Sequence, residues 1–80
     1  MLVSLLSMPG AKNKAIAVML GKRIRELRIQ KGMSQQTLAN ISEVELSTIN
    51  RIELGKATPS VSLLYSIADS LEISVQELLP

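Results

Sequence analysis

Between Ser34 and Gly55 the chain carries signals for two short helices, neither long enough to hold its shape in water alone. Ser34 is a side-chain cap ahead of Gln35, Gln36 and Thr37, and Leu38 with Ala39 forms an inward apolar pair in a segment reaching about Ile41. Four residues later the apolar period resumes from Leu46, with Ile49 and Ile52 on one side, and Gly55 ends it. Nucleating a helix costs more than its first hydrogen bonds return, so isolated segments under about 12–15 residues are marginal. Each segment must therefore be stabilised by the other and by neighbouring helices: helix, tight turn, helix.

The flanking sequence offers those neighbours. After Pro9-Gly10, Asn13 is a cap for a helix from Lys14 to about Lys31. Ile16, Leu20, Ile24 and Leu27 recur along it as one stripe, Lys22, Arg23 and Arg25 point largely elsewhere, and Gly32 breaks it. Beyond Pro59 and the cap Ser60, Leu64, Ile67, Ala68 and Leu71, joined by Leu63, mark a fourth helix. Ser74 and Glu77 form a capping box for a last short helix, whose Val75, Leu78 and Leu79 are expected to fold back on the core. No segment alternates long enough for a strand. The expectation is an all-α, compact five-helix bundle spanning 14–80, with its helix-turn-helix unit at about 34–53 and an N-terminal arm at 1–13, either flexible or dimer-contacting.

Eighty residues make one domain, and a domain so small hides only about 60% of the surface of its unfolded chain. The chain has no cysteine and no histidine, so neither a disulfide nor the usual zinc site can supplement the core. With Tyr65 the single aromatic residue, the core has to be aliphatic. The same absences leave no side chain suited to be base, nucleophile or soft ligand, and no glycine-rich loop joins a strand to a helix. Catalysis, a metal and a cofactor are all outside the expectation.

Charge is unevenly spread. In residues 1–40, seven basic groups against Glu26 give +6; in residues 41–80, Arg51 and Lys56 against six acids give −4. The basic half suits a polyanion. No apolar run is long enough for a membrane span. The first twenty residues are apolar like a secretion signal, but their start lacks a positive side chain and Ser4, Ser7 and Pro9 interrupt them. A cytoplasmic, prokaryotic protein is expected. Its Leu2, Val3, Leu5 and Leu6 are either packed on a partner subunit, disordered, or part of a non-native leader.

Taken in order, Ile24-Arg25, Leu27-Arg28, Ser34-Gln35, Leu38-Ala39, Ile49, Ile52-Glu53, Gly55, Pro59-Ser60, Leu63-Leu64, Ile67-Ala68, Leu71 and Leu78-Leu79 resemble the phage repressor and Cro family of helix-turn-helix regulators. That group is also called xenobiotic-response-element-like, and its fold is the lambda-repressor-like DNA-binding domain. The resemblance spans Leu20 to Leu79, three quarters of the chain. It implies that the helix starting near Glu45 enters the DNA major groove. Periodicity independently turns Leu46, Ser47, Asn50 and Arg51 outward if Ile49 and Ile52 face in. Arg51 suits guanine O6 and N7, Asn50 suits adenine, Ser47 a base or phosphate, and Leu46 a thymine methyl.

By resemblance Gln35 contacts a phosphate, aided by the free amides of its helix N-terminus. Thr48 touches either the DNA backbone or its own helix, and Lys56, Arg23 and Lys22 add backbone attraction. Resemblance also pairs Arg28 with Glu53 in a mostly buried ion pair, which removes Arg28 from the phosphate-binding set. Three residues depart from the family pattern: Glu43 stands where the turn favours glycine, Glu45 where Ser or Thr would cap the recognition helix, and Glu72 where glycine is common. The functional expectation is sequence-specific double-stranded DNA binding, at a palindromic operator, by a homodimer that regulates transcription, with repression as the expected mode. The alternative is an antitoxin or adaptor that keeps the fold to bind a toxin or other protein, an option the acidic turn and Leu46 favour.

Overall fold

Four α-helices account for most of the structure, a computed structural model that describes residues 11–79. They are α1 (Ala11–Gln30), α2 (Gln35–Ser42), α3 (Leu46–Glu53) and α4 (Val61–Ser70), followed by a 3-10 turn at Val75–Glu77. There is no strand among the described residues. The all-helical expectation holds, but the expected fifth helix is a single 3-10 turn. Its start is made as expected, with Glu77 Oε2 accepting the Ser74 N–H at 3.1 Å. It stops because Leu78 drops into the core, and Pro80 disfavours helical geometry at Leu79.

Serine caps start two helices: Ser34 Oγ accepts from the Thr37 N–H at 3.0 Å and Ser60 Oγ from the Leu63 N–H at 3.2 Å. Asn13, expected as a cap, instead lies within α1, which already begins at Ala11. Residues 11–13 of the expected arm are thus helical, and its Leu2, Val3, Leu5 and Leu6 lie outside the described residues.

All four helices end alike. Each closes with a residue in the left-handed region, Gly32 (φ 72°), Glu43 (φ 59°), Gly55 (φ 74°) and Glu72 (φ 58°). In each, the N–H of the following residue reaches back to the helix: Met33 to the Arg28 carbonyl, Val44 to Ala39, Lys56 to Arg51 and Ile73 to Ala68, all at 2.9–3.1 Å. Three of those following residues, Met33, Val44 and Ile73, are apolar and pack on the core. Two of the four left-handed positions carry a glutamate whose Cβ makes the conformation costly, by roughly 1–2 kcal/mol. Glu72→Gly is therefore expected to raise stability by about 0.5–1 kcal/mol, part of the relief being lost to the freer unfolded chain. A thermal melt reads this as a rise of a few degrees; a lower midpoint would show that the Glu72 side chain contributes contacts outweighing its strain.

The core joins all four helices: Leu20, Ile24 and Leu27 of α1, Leu38 and Ala39 of α2, Ile49 and Ile52 of α3, Ile67 and Ala68 of α4, then Leu71 and Leu78. Two expected core positions move outward. Ile16 is 37% exposed while its neighbour Ala17 is 6% exposed, because α1 turns the smaller residue toward the segment after α3. Leu79 is half exposed, since only Leu78 of the pair can point inward from the short turn.

Gly21 fixes how closely α1 and α3 approach. A Cβ there would run into the Ile52 carbonyl oxygen and lie 3.0 Å from the Glu53 carbonyl oxygen, so only glycine fits this crossing. Nothing in the apolar pattern marked Gly21; the available cue was a glycine inside a long helical run, which is tolerated mainly where something approaches closely.

Candidate nucleic-acid interface

Helix α3 is bound to the body of the protein along one side only. Ile49 and Ile52 are fully enclosed, whereas Leu46, Ser47, Asn50 and Arg51 are exposed and Thr48 is half-buried between the two sides. This is the division that the 3.6-residue period demands, because residues three apart share a face. The helix has no side-chain cap, since Glu45 makes none, and its first turn is closed by the Thr48 N–H on the Glu45 carbonyl at 3.0 Å. Glu43 and Glu45 are both exposed just before α3, so their charge sits at the start of the outward face.

The far end of α3 is anchored by a buried, two-pronged ion pair. Arg28 Nε donates to Glu53 Oε2 at 2.7 Å and Nη2 to Oε1 at 3.1 Å, while Nη1 donates to the Met33 carbonyl at 2.7 Å. One guanidinium thus joins α1, the loop into α2 and the end of α3. The planar fork is what makes this geometry available; a lysine would offer a point charge in place of two parallel bonds.

The carboxylate accepts one further bond. Gln35 Nε2 donates to Glu53 Oε1 at 2.9 Å, and the other end of the same amide, Oε1, accepts from Asn50 Nδ2 at 3.4 Å. Gln35, expected to contact a phosphate, has its amide group held by protein partners. What remains unpartnered at the start of α2 is backbone, in keeping with a helix N-terminus whose first amides lack intrahelical acceptors.

The basic residues divide between two places. Lys56 lines an open groove with Asn13, Lys14, Ala17, Gly55, Ala57 and Thr58, just beyond α3. Lys14, not singled out as a contact in the sequence, stands seven residues before Gly21 and so on nearly the same side of α1 as the α3 crossing. Arg23 is two residues past Gly21, about 200° around the helix. Its Nε donates to the Glu77 carbonyl at 2.9 Å, and with Lys22 it borders a groove against Met19, Glu26, Leu78 and Leu79. The structure therefore groups Lys22 and Arg23 with the C-terminal turn, away from Asn50 and Arg51, because the helical period carries them off the α3-facing side. Among the described residues no group of three or more acids is placed to hold a metal.

The HTH_3 family, described as helix-turn-helix, matches residues 24–78, which takes in Arg28, both short helices and the buried Leu78. The chain belongs to this family. HTH_3 membership is the xenobiotic-response-element-like class that the ordered motif set resembled. An uncharacterised HTH-type transcriptional regulator of Bacillus subtilis, YazB, is 38% identical over 60 residues, covering 75% of this chain and 87% of YazB. The HTH-type transcriptional regulator PuuR of Escherichia coli is 37% identical over 57 residues, 71% of this chain but 31% of PuuR. Among solved structures, the restriction-modification controller protein C.AhdI of Aeromonas hydrophila superposes with a TM-score of 0.79 at 38% identity, covering 81% of this chain and 98% of that one. The clp gene regulator ClgR of Corynebacterium glutamicum superposes at 0.77 with 30% identity, over 79% of this chain and 67% of ClgR. The HTH_3 match begins at Ile24, so Lys14 and Gly21 lie outside it.

Proposed function

We propose that the protein binds double-stranded DNA in a sequence-specific manner as a homodimer in the prokaryotic cytoplasm and regulates transcription, with repression as its mode. The observation that carries this reading is the exposed side of α3, where Ser47, Asn50 and Arg51 stand clear of the protein on a helix anchored by a buried ion pair. A rigid helix presenting short polar and guanidinium groups fits the major groove, whose base edges offer paired donors and acceptors. Relatives named as transcriptional regulators support the same reading. Arg51 reads guanine, Asn50 adenine, Ser47 a base or phosphate, and Leu46 a thymine methyl. Lys56, joined by Lys14 and the half-buried Thr48, bears on the DNA backbone. Two copies of α3 would meet half-sites about 34 Å apart on a palindromic operator.

A fluorescence titration against duplex from upstream of the protein's own gene tests this. Affinity should fall linearly on a logarithmic salt scale, with a slope of about 0.9 for each phosphate neutralised. Lys56→Gln and Lys14→Gln should each reduce that slope by about one and leave base preference unchanged, while Arg51→Ala should cost about 1–3 kcal/mol at one base position and relax its preference.

Exposed Leu46, with Glu43 and Glu45 beside it, favours a second reading, a protein-interaction module such as an antitoxin. Such a module would bind duplex without salt dependence or not at all, and Arg51→Ala would leave its partner binding unchanged.

A further inference from the structure

We propose that Glu53, besides pairing with Arg28, sets which base Asn50 accepts, through Gln35. This rests on the DNA-binding reading of α3 above.

The direction of the hydrogen bonds carries the argument. Glu53 is an ionised carboxylate held by a guanidinium, and such a carboxylate can only accept. The end of the Gln35 amide that faces it at 2.9 Å must therefore be the NH2 group. The opposite end of that amide is then the carbonyl oxygen, and it lies 3.4 Å from the Asn50 side chain. A carbonyl oxygen needs a donor, so Asn50 turns its own NH2 group toward Gln35. This last bond is long; it selects an orientation more than it stores energy. Asn50 is left presenting its carbonyl oxygen and its second N–H to solvent, on the exposed face of α3.

One acceptor beside one donor is the complement of adenine in the major groove, where N6–H donates and N7 accepts. Guanine presents O6 and N7, both acceptors, so the Asn50 carbonyl would face another acceptor. Released from Gln35, Asn50 could rotate its amide and offer the NH2 group to guanine instead. Arg28 and Glu53 are buried and doubly hydrogen-bonded to each other within the protein, so the polarity of the series is set before DNA arrives. Gln35 and Glu53 are thus positioning residues for a base contact that neither makes.

Selection of binding sites from a randomised duplex pool tests this with the full chain. Wild-type protein should select adenine at one position per half-site, and Asn50→Ala should abolish the preference there, which identifies that position. Gln35→Met, which keeps length and helix compatibility without hydrogen bonds, should lower adenine-over-guanine discrimination at that position about tenfold while the other positions keep theirs; Gln35→Ala should do the same. Melting midpoints of both variants within a few degrees of wild type would show that the fold is intact. If either folded variant binds every duplex more weakly in equal proportion and keeps the adenine preference, Gln35 is a backbone contact and the inference is wrong. If Asn50→Ala changes no preference, it is wrong as well, whereas a wild-type protein that selects no sequence overturns the DNA-binding reading itself.

Discussion

Gly21→Ala is expected to strip away most of the stability of a small domain and leave the protein at the edge of unfolding at room temperature. The added methyl would enter the Ile52 carbonyl oxygen and press on the Glu53 carbonyl oxygen and carbon at 3.0 and 3.1 Å, all of it backbone. A flexible side chain could swing aside; a helix backbone cannot, and moving α3 outward as a unit would draw the buried Ile49 and Ile52 out of the core. Separating α1 from α3 would instead open the core around Leu20 and Ile24, both buried on the same helix. Overpacking of this kind, combined with the voids that relief would create, belongs to the class of substitutions costing more than about 4 kcal/mol. Small domains have about 5–15 kcal/mol in total, so a loss of about 4 kcal/mol leaves one near the lower end with only about 1 kcal/mol, and any larger loss unfolds it. Circular dichroism during a urea titration measures it directly. A loss under about 1 kcal/mol would mean that the two helices can separate at little cost and that the crossing is not set by this glycine.

Glu53→Ala should cost about 3–5 kcal/mol, the range found when one member of a buried ion pair is removed. The substitution leaves the Arg28 guanidinium buried with the Met33 carbonyl as its remaining partner, and it takes away the acceptor of the Gln35 amide. Most of the cost is that stranded charge. It follows that removing both members is gentler than removing one: Arg28→Met together with Glu53→Leu should be more stable than Glu53→Ala alone, because no unpaired ion remains. A urea melt showing a loss below 1 kcal/mol for Glu53→Ala would contradict the pairing energetics, and a double variant no better than the single would contradict the stranded-charge explanation.

The two substitutions differ in how visible their targets were. Glu53 was identifiable because it occupies a set place in an ordered motif, and the structure puts its carboxylate where that resemblance implied. Gly21 was not, since its role depends on another helix passing within van der Waals distance, and no local pattern encodes a crossing. Asn13 illustrates a second kind of miss: a residue with good capping chemistry, placed inside α1 because the helix-favouring residues before it extend the turn. Ile16 is a third, correctly placed on a periodic stripe but situated where α1 has only partial cover.

Glu43 and Glu72 were legible as departures from glycine, and both adopt the left-handed conformation regardless. The helix-ending hydrogen bonds and the burial of Val44 and Ile73 outweigh a local strain of roughly 1–2 kcal/mol. Tertiary packing decided the backbone there, against the preference of the residue.

Local chemistry, written in the sequence, determined where α2 and α4 begin, where α1 and α3 end at Gly32 and Gly55, and which face of α3 turns outward, because serine caps, glycine stops and a 3.6-residue period act within a few residues. The close crossing at Gly21, the removal of Arg23 to the C-terminal turn and the path from Glu53 through Gln35 to Asn50 arose only in three dimensions. Each depends on distances between elements remote in the chain, and those distances exist only once the aliphatic core has closed.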